Sequence, residues 1–269
     1  MLRWNFSSRA RELSDADVLV ISIPKSGRTW LRAFLCAYFC KKTGHDFTLE
    51  PERYGDPQIP RIAYSHDIFE QRTKARLWDK LRGKYLVPAR ELRRARVILL
   101  ARDPRDAFVS LHAQLTRRTR ETDESLKGKA ITELLRDPDY GIESIVNVMN
   151  DWLAEFLDLP SFALARYETL RADPAVQFRR VLQLVGEPEP SADAFAHALQ
   201  FSDFDNMKKL ESAGAFDSKI LRPGDAGDPE SFKVRRGLVG GYRESFSADD
   251  LLCASAAMMK LDPRFGYDA

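Results

Sequence analysis

An α/β fold is predicted, a three-layer sandwich with a mostly parallel central sheet. Three observations point to it. Apolar runs rich in branched residues, at 18–23, 96–101 and 162–167, read as strands buried on both faces. Stretches with apolar residues at helical spacing separate them, and strands that alternate with helices pair in parallel beneath covering layers. The chain has 269 residues, 44% of them hydrophobic, which suits one domain over 1–269 with one substantial core.

The first strand breaks at Pro24 into a short polar turn, and 30–38 then reads as a helix, so the first βα unit spans 18–40. Residues 41–60, rich in Gly, Pro and charge, read as a loop, and Arg61 to His66 as a short strand ending at His66. A helix is expected over 75–81, with irregular structure after it. Pro104 sits near the start of a helix whose apolar positions are Phe108, Val109, Leu111 and Leu115. Residues 121–139 are polar and receive no assignment; 141–157 reads as an amphipathic helix. Asp173 caps a helix with Pro174 at its first position, ending near Gly186. A short helix at 192–199, a long Gly- and Pro-rich loop at 212–231 and a closing helix at 251–261 complete the chain.

The net charge is +2 with 30% charged residues, a balance that asks for neither nucleic acid nor an anionic membrane as partner. Local arginine clusters at 90–105 and 117–120 read as solvated helix faces, Arg102 excepted. Three cysteines are too few for a disulfide framework; Cys36 and Cys40 share a helix face and read as packing thiols, not metal ligands. Residues 1–17 lack the apolar stretch of a signal peptide and no segment approaches a membrane span, so a cytoplasmic protein is expected.

The chemistry starts in the turn Pro24-Lys25-Ser26-Gly27-Arg28-Thr29-Trp30. A strand, a tight turn and a helix N-terminus form an anion cradle, because free backbone N–H groups and the positive end of the helix dipole point into the turn. Lys25 adds a mobile charge, and Ser26 and Thr29 add hydroxyls; a phosphate or a sulfate is the expected ligand. This is not the common nucleotide-triphosphate loop, G-x-x-x-x-G-K-[ST], because Lys25 precedes Gly27 instead of following it. A second anion site follows the strand at 96–101. There Arg102 can fork onto a phosphate and Ser110, on the next helix, can add a hydroxyl.

The first turn resembles the 5′-phosphosulfate loop of the sulfotransferase family, and Arg102-Asp103-Pro104-Arg105-Asp106-Ala107-Phe108-Val109-Ser110 resembles that family's 3′-phosphate segment. Arg166-Tyr167-Glu168-Thr169-Leu170 with Asp173-Pro174, Phe201-Ser202-Asp203-Phe204-Asp205-Asn206-Met207, and Val234-Arg235-Arg236-Gly237-Leu238-Val239-Gly240-Gly241-Tyr242 are similar to three further family segments. The resemblance implies a P-loop-like architecture and transfer of a sulfuryl group from 3′-phosphoadenosine-5′-phosphosulfate to an acceptor hydroxyl, with no metal. It also implies that Ser26, Gly27, Arg28 and Thr29 hold the 5′-phosphate while Lys25 neutralises charge on the leaving phosphate. Arg102, Ser110, Arg235, Arg236 and the Gly237 N–H would hold the 3′-phosphate, and Trp30, Tyr167, Ser202 and Phe204 would surround the adenine. Two departures stand out: Arg28 occupies a family threonine position, and Tyr64-Ser65-His66-Asp67 lacks the lysine that animal cytosolic members carry two places before their histidine.

Sulfuryl transfer passes a loose SO₃ unit between two oxygens held in line, so positioning and charge stabilisation dominate, and a base must take the acceptor's proton. Of His45, His66, His112 and His197, His66 ends a strand between the two anion motifs, where the family has its catalytic histidine, and imidazole suits the task. Asp67 is the second candidate. The acceptor reads only as a small-molecule or saccharide hydroxyl; the polar segments 41–60, 121–139 and 212–231 are expected to shape its site and favour a carbohydrate-like molecule. Oligomeric state is left open. So are two other readings, a non-catalytic nucleotide-binding module of the same fold and a metal-dependent P-loop kinase, the latter opposed by the order of Lys25 and Gly27.

Overall fold

The computed structural model describes residues 13–117, 124–214 and 237–268. Strands β1 (Val18–Ile21), β2 (Ile62–Ser65), β3 (Arg96–Ala101) and β4 (Phe162–Arg166) form one sheet in the order β2-β1-β3-β4, every neighbouring pair parallel. The helices are α1 (Arg28–Thr43), α2 (Asp67–Lys74), α3 (Leu77–Arg82), α4 (Ala89–Arg94), α5 (Pro104–Arg117), α6 (Ile131–Leu135), α7 (Ile142–Phe156), α8 (Tyr167–Ala172), α9 (Pro174–Leu184), α10 (Ala192–Phe201), α11 (Phe204–Ser212) and α12 (Ala248–Met258).

Alternation along the central strands divides the core in two. Leu19 and Ile21 of β1 join Val97, Leu99 and Ala101 of β3 against α5, α7 and α12. Val18, Val20, Ile98 and Leu100 point the other way, against α1, α9 and α10, where Phe34 and Phe178 stack with ring centroids 3.9 Å apart. Successive side chains of a strand face opposite sides, so a strand covered on both faces must be apolar throughout. Each fully buried phenylalanine contributes about 2–3 kcal/mol to holding the layers together.

Several boundaries differ from the sequence expectation. Helix α1 continues to Thr43, where Gly44 at φ 75° ends it. Helix α2 starts immediately after β2, and the helix expected over 75–81 begins at Leu77 because Ala75 is extended. Helix α11 was not expected; the Asp203 side chain caps it by accepting from the Asp205 and Asn206 N–H groups. Helix α12 begins three residues early, where Ser247 and Asp250 form a reciprocal capping box. Of the loop expected at 212–231, residues 215–231 lie outside the described residues.

Strand order positions the site. The chain passes from β1 outward to β2, then crosses back over β1 to β3, so the direction of winding reverses between β1 and β3. Ligand crevices open at such a reversal, beyond the carboxyl ends of the strands. Neighbouring strands lie about 4.8 Å apart, which brings the turn after β1 beside the residue after β3.

Candidate active site

Each strand ends in a residue singled out from the sequence. The Lys25 turn follows β1, His66 follows β2, Arg102 follows β3 and Tyr167 follows β4. They open onto a cavity of about 1440 Å³, which Gly27, Arg28, Thr29, Trp30, Ser110, Phe204 and Gly237 also line. Ser26 and Ser202 are buried and do not line it. Arg235 and Arg236 lie outside the described residues.

Gly27, at φ 88°, precedes the first residue of α1, whose opening turn carries no acidic side chain. The first N–H groups of a helix have no partner within it, so this end attracts anions. Lys25 also has a left-handed backbone, φ 73°, uncommon outside glycine and often found at functional turns. A Cβ on Gly27 would sit 2.6 Å from Tyr167 Cδ2, so only glycine lets the turn meet that ring. The Ser26 hydroxyl oxygen is buried and has no hydrogen-bond partner among the described residues.

Arg102 ties three segments together. Its Nη1 donates to the Lys25 carbonyl at 2.9 Å and its Nη2 to the Leu238 carbonyl at 3.0 Å. Its guanidinium lies 4.5 Å from the centroid of the Tyr167 ring, while its Nε is buried with no partner among the described residues. The next turn of α5 presents Asp106, which accepts from the Gly240 and Tyr242 N–H groups at 2.7 and 3.0 Å. Burial pushes the Asp106 carboxyl above its ordinary value, against the pull of those N–H groups and of Arg102. Glu168 accepts from the Asp103 N–H and from the Tyr267 hydroxyl, fixing the start of α5 to the start of α8.

The aromatic wall is built by Trp30, Tyr167 and Phe204. Trp30 Nε1 donates to the Ser202 carbonyl at 2.8 Å, so Ser202 contributes its backbone behind the wall instead of its hydroxyl within the cavity. Ser202 caps the C-terminal end of α10, its N–H donating to the Ala198 carbonyl, and the residue is buried. Arg171 spans the Trp30 and Phe204 rings at 5.8 and 5.2 Å.

His66 Nδ1 lies 2.6 Å from the Ser22 carbonyl oxygen. A carbonyl oxygen only accepts, so Nδ1 carries the proton and Nε2 the lone pair. Asp67, the second candidate base, lies away from the cavity. It is fully buried, its two carboxylate oxygens accept from the Val87 N–H and from Trp152 Nε1, and its backbone is left-handed. His45, bound to Asp56, and His197, against Phe201, do not line the cavity, whereas His112 does line it, with its Nε2 2.9 Å from the Lys129 carbonyl oxygen.

A family model described as the sulfotransferase domain matches residues 15–257. The chain belongs to the sulfotransferase family. It is similar to cytosolic sulfotransferase 7 of Arabidopsis thaliana, 25% identical over 83% of this chain and 76% of the relative. It is also similar to the 3-beta-hydroxysteroid sulfotransferase of Cavia porcellus, 24% identical over 87% of this chain and 79% of the relative. Among solved structures, a mouse sulfotransferase complexed with PAP superposes with TM-score 0.61 at 16% identity, over 95% of this chain and 90% of the other. A retinol dehydratase complexed with androsterone and PAP gives 0.60 at 17% identity, over 90% and 79%. These structural likenesses establish a shared fold.

The cavity lining departs from the expectation for the segment 41–60. None of 41–60 lines the cavity; that segment packs instead on the outer side of α1, with Phe47 against Phe201 and Leu49 beside Ala33 and Cys36. The lining of the far half comes from α2 and α5, with Phe69, Val109 and Leu111 among polar Thr73 and Gln114. Tyr140 and Ile131 close it. Sequence reasoning gave Asp106 and Arg171 no role. Asp106 stands inside the matched segment, and Arg171 falls four residues after Tyr167, one helical turn along.

Proposed function

We propose that this sulfotransferase moves a sulfuryl group from 3′-phosphoadenosine-5′-phosphosulfate to an acceptor hydroxyl by in-line transfer, acting as one domain over 1–269. One observation carries this reading: the Arg102 bond to the Lys25 carbonyl makes the two anion-binding turns a single wall of one cavity. The fit of the donor has a second support. Arg102 lines the cavity and its Nε is a buried donor with no partner among the described residues, a state costing about 1–3 kcal/mol, and a phosphate oxygen in the second turn would accept from it. The PAP complexes of the structural neighbours point to the same donor.

When bound, the donor supplies an activated sulfuryl group on a good leaving phosphate. The N–H groups opening α1, with Arg28 and Thr29, hold the 5′-phosphate, and Lys25 neutralises the charge that grows on it. Arg102, Ser110 and the Gly237 N–H hold the 3′-phosphate, with Arg235 and Arg236 as further donors. Trp30, Tyr167 and Phe204 enclose the adenine. His66, with Nδ1 committed to Ser22, takes the acceptor's proton on Nε2. The acceptor is a small molecule whose apolar body contacts Phe69, Val109 and Leu111. The relatives named for a hydroxysteroid and a flavonol agree with that character, and those named cytosolic with a cytoplasmic site of action.

The test is calorimetry with 3′,5′-adenosine bisphosphate beside a labelled-sulfate transfer assay over phenols, steroids and saccharides. Binding together with transfer to one of these classes is expected. Binding with no transfer to any class would favour a non-catalytic module, and absence of binding would remove the donor assignment.

A further inference from the structure

We propose that α3 docks this protein on an anionic lipid surface, with the mouth of the active-site cavity beside the contact. Helix α3 buries none of its residues. Leu77, Trp78 and Leu81 are 73%, 72% and 63% exposed, an apolar cluster with no core of its own. The helix is nevertheless held in place. Gln71 Nε2 donates to the Asp79 and Lys80 carbonyls, and Gln71 Oε1 accepts from the Tyr85 N–H. Polar backbone contacts anchor its inner side and leave the apolar side chains outward.

Charge identifies the partner. Residues 72–96 contain ten Lys or Arg and two Asp or Glu, a net of +8 in a chain whose total is +2. Four of these cations are ion-paired, Arg72 with Asp151, Lys74 with Glu70, Lys84 with Asp79 and Arg94 with Glu91, so the basic character of α3 itself rests on Arg76, Lys80 and Arg82. Arg76, Lys80 and Arg82 are exposed around the apolar cluster, and Asp79 is engaged by Lys84. A tryptophan beside leucines, ringed by cations, is the pattern of a segment that enters the headgroup region while its charges meet anionic lipid. A second copy of the chain would bring the same positive face and repel it, and a nucleic acid would leave Leu77 and Leu81 without use.

The surface is continuous with the site, since Thr73, Lys74 and Arg76 line the cavity and Leu77 follows directly. Docking would put that entrance next to the bilayer, where a hydroxylated amphiphile has a short path to His66. This choice of acceptor rests on the sulfuryl-transfer reading; the docking itself does not.

The test is flotation of the full chain with vesicles of phosphatidylcholine alone or of equal parts phosphatidylcholine and phosphatidylglycerol. Binding to the anionic vesicles only, weakened by salt, is expected. Lys80→Glu with Arg82→Glu, and separately Trp78→Ser with Leu81→Ser, should each lower it by more than about tenfold while the circular dichroism spectrum and bisphosphate affinity stay as in wild type. Absence of binding, equal binding to both vesicles, or binding that survives both pairs of substitutions would overturn the proposal. So would self-association or RNA binding through this face without vesicle binding. Vesicle binding without sulfuryl transfer to any acceptor would keep the docking and sink the enzymatic reading; transfer without vesicle binding would do the reverse.

Discussion

The Lys25 carbonyl oxygen accepts from Arg102 Nη1 at 2.9 Å, across a gap of 77 positions in the chain. The bond runs between the turn after β1 and the residue after β3, which the parallel register holds side by side. It orients the peptide that leads into the Gly27 cap of α1. The same guanidinium reaches the Leu238 carbonyl, so the C-terminal loop closes on the site through the group that would bind the 3′-phosphate.

Arg102→Lys removes this fork while keeping the charge. An ammonium cannot serve two divergent carbonyls and a phosphate, so bisphosphate affinity should fall by about 10- to 100-fold. Titration calorimetry reads this directly, and unchanged affinity would take Arg102 out of the donor site.

His66→Asn removes the proton acceptor and keeps a polar side chain of similar reach. Turnover should drop by about 10²- to 10⁴-fold, with bisphosphate affinity near wild type. A variant that retained wild-type turnover would show that another group takes the proton.

Gly27→Ala combines a left-handed backbone at φ 88° with a Cβ 2.6 Å from Tyr167. Gly55→Ala has the backbone condition alone, at φ 66° with no atom near the added Cβ. Gly55→Ala should destabilise by ~1 kcal/mol, and Gly27→Ala by roughly 2–4 kcal/mol with weakened bisphosphate binding. Denaturant unfolding compares the two; equal losses would mean that the Tyr167 ring yields freely.

Asp250 makes stability pH-dependent in the acid range. Burial alone would raise its carboxyl, but bonds from Ser247, Thr132 and Arg136 outweigh that and hold it below the ordinary value. The folded state therefore favours the charged form. Its stabilisation is complete above the unfolded value of about 4 and is lost as pH falls through the folded value. Thermal melts from neutral pH to about pH 3 should fall more steeply for wild type than for Asp250→Asn. Parallel curves would exclude this carboxylate as a source of acid sensitivity.

The strands were legible because burial on both faces leaves an unbroken apolar run, as in Val97 to Ala101. Helix α2 was not. It begins at Asp67 with no side-chain cap and a left-handed first residue, which local signals do not mark. The Lys25 and Arg102 turns could be singled out, and both line the one cavity, because a candidate anion site needs particular residue types within one short segment. The expectation for 41–60 failed, since polar loops resemble binding loops whether they face a cavity or pack on the back of α1, while Ile131, within the expected segment 121–139, does line the cavity.

The sequence by itself determined the class of fold and singled out two turns as candidate anion sites and a short list of candidate bases, since each depends on residues close together along the chain. Only the tertiary structure gave His66 and Asp67 different surroundings. They are neighbours, yet Ser22 orients one at the cavity while Trp152, 85 positions away, and Val87 consume the other. Only the sheet order joined Lys25 to Arg102. Contacts between distant segments arise from packing, and packing leaves no local signature in the chain.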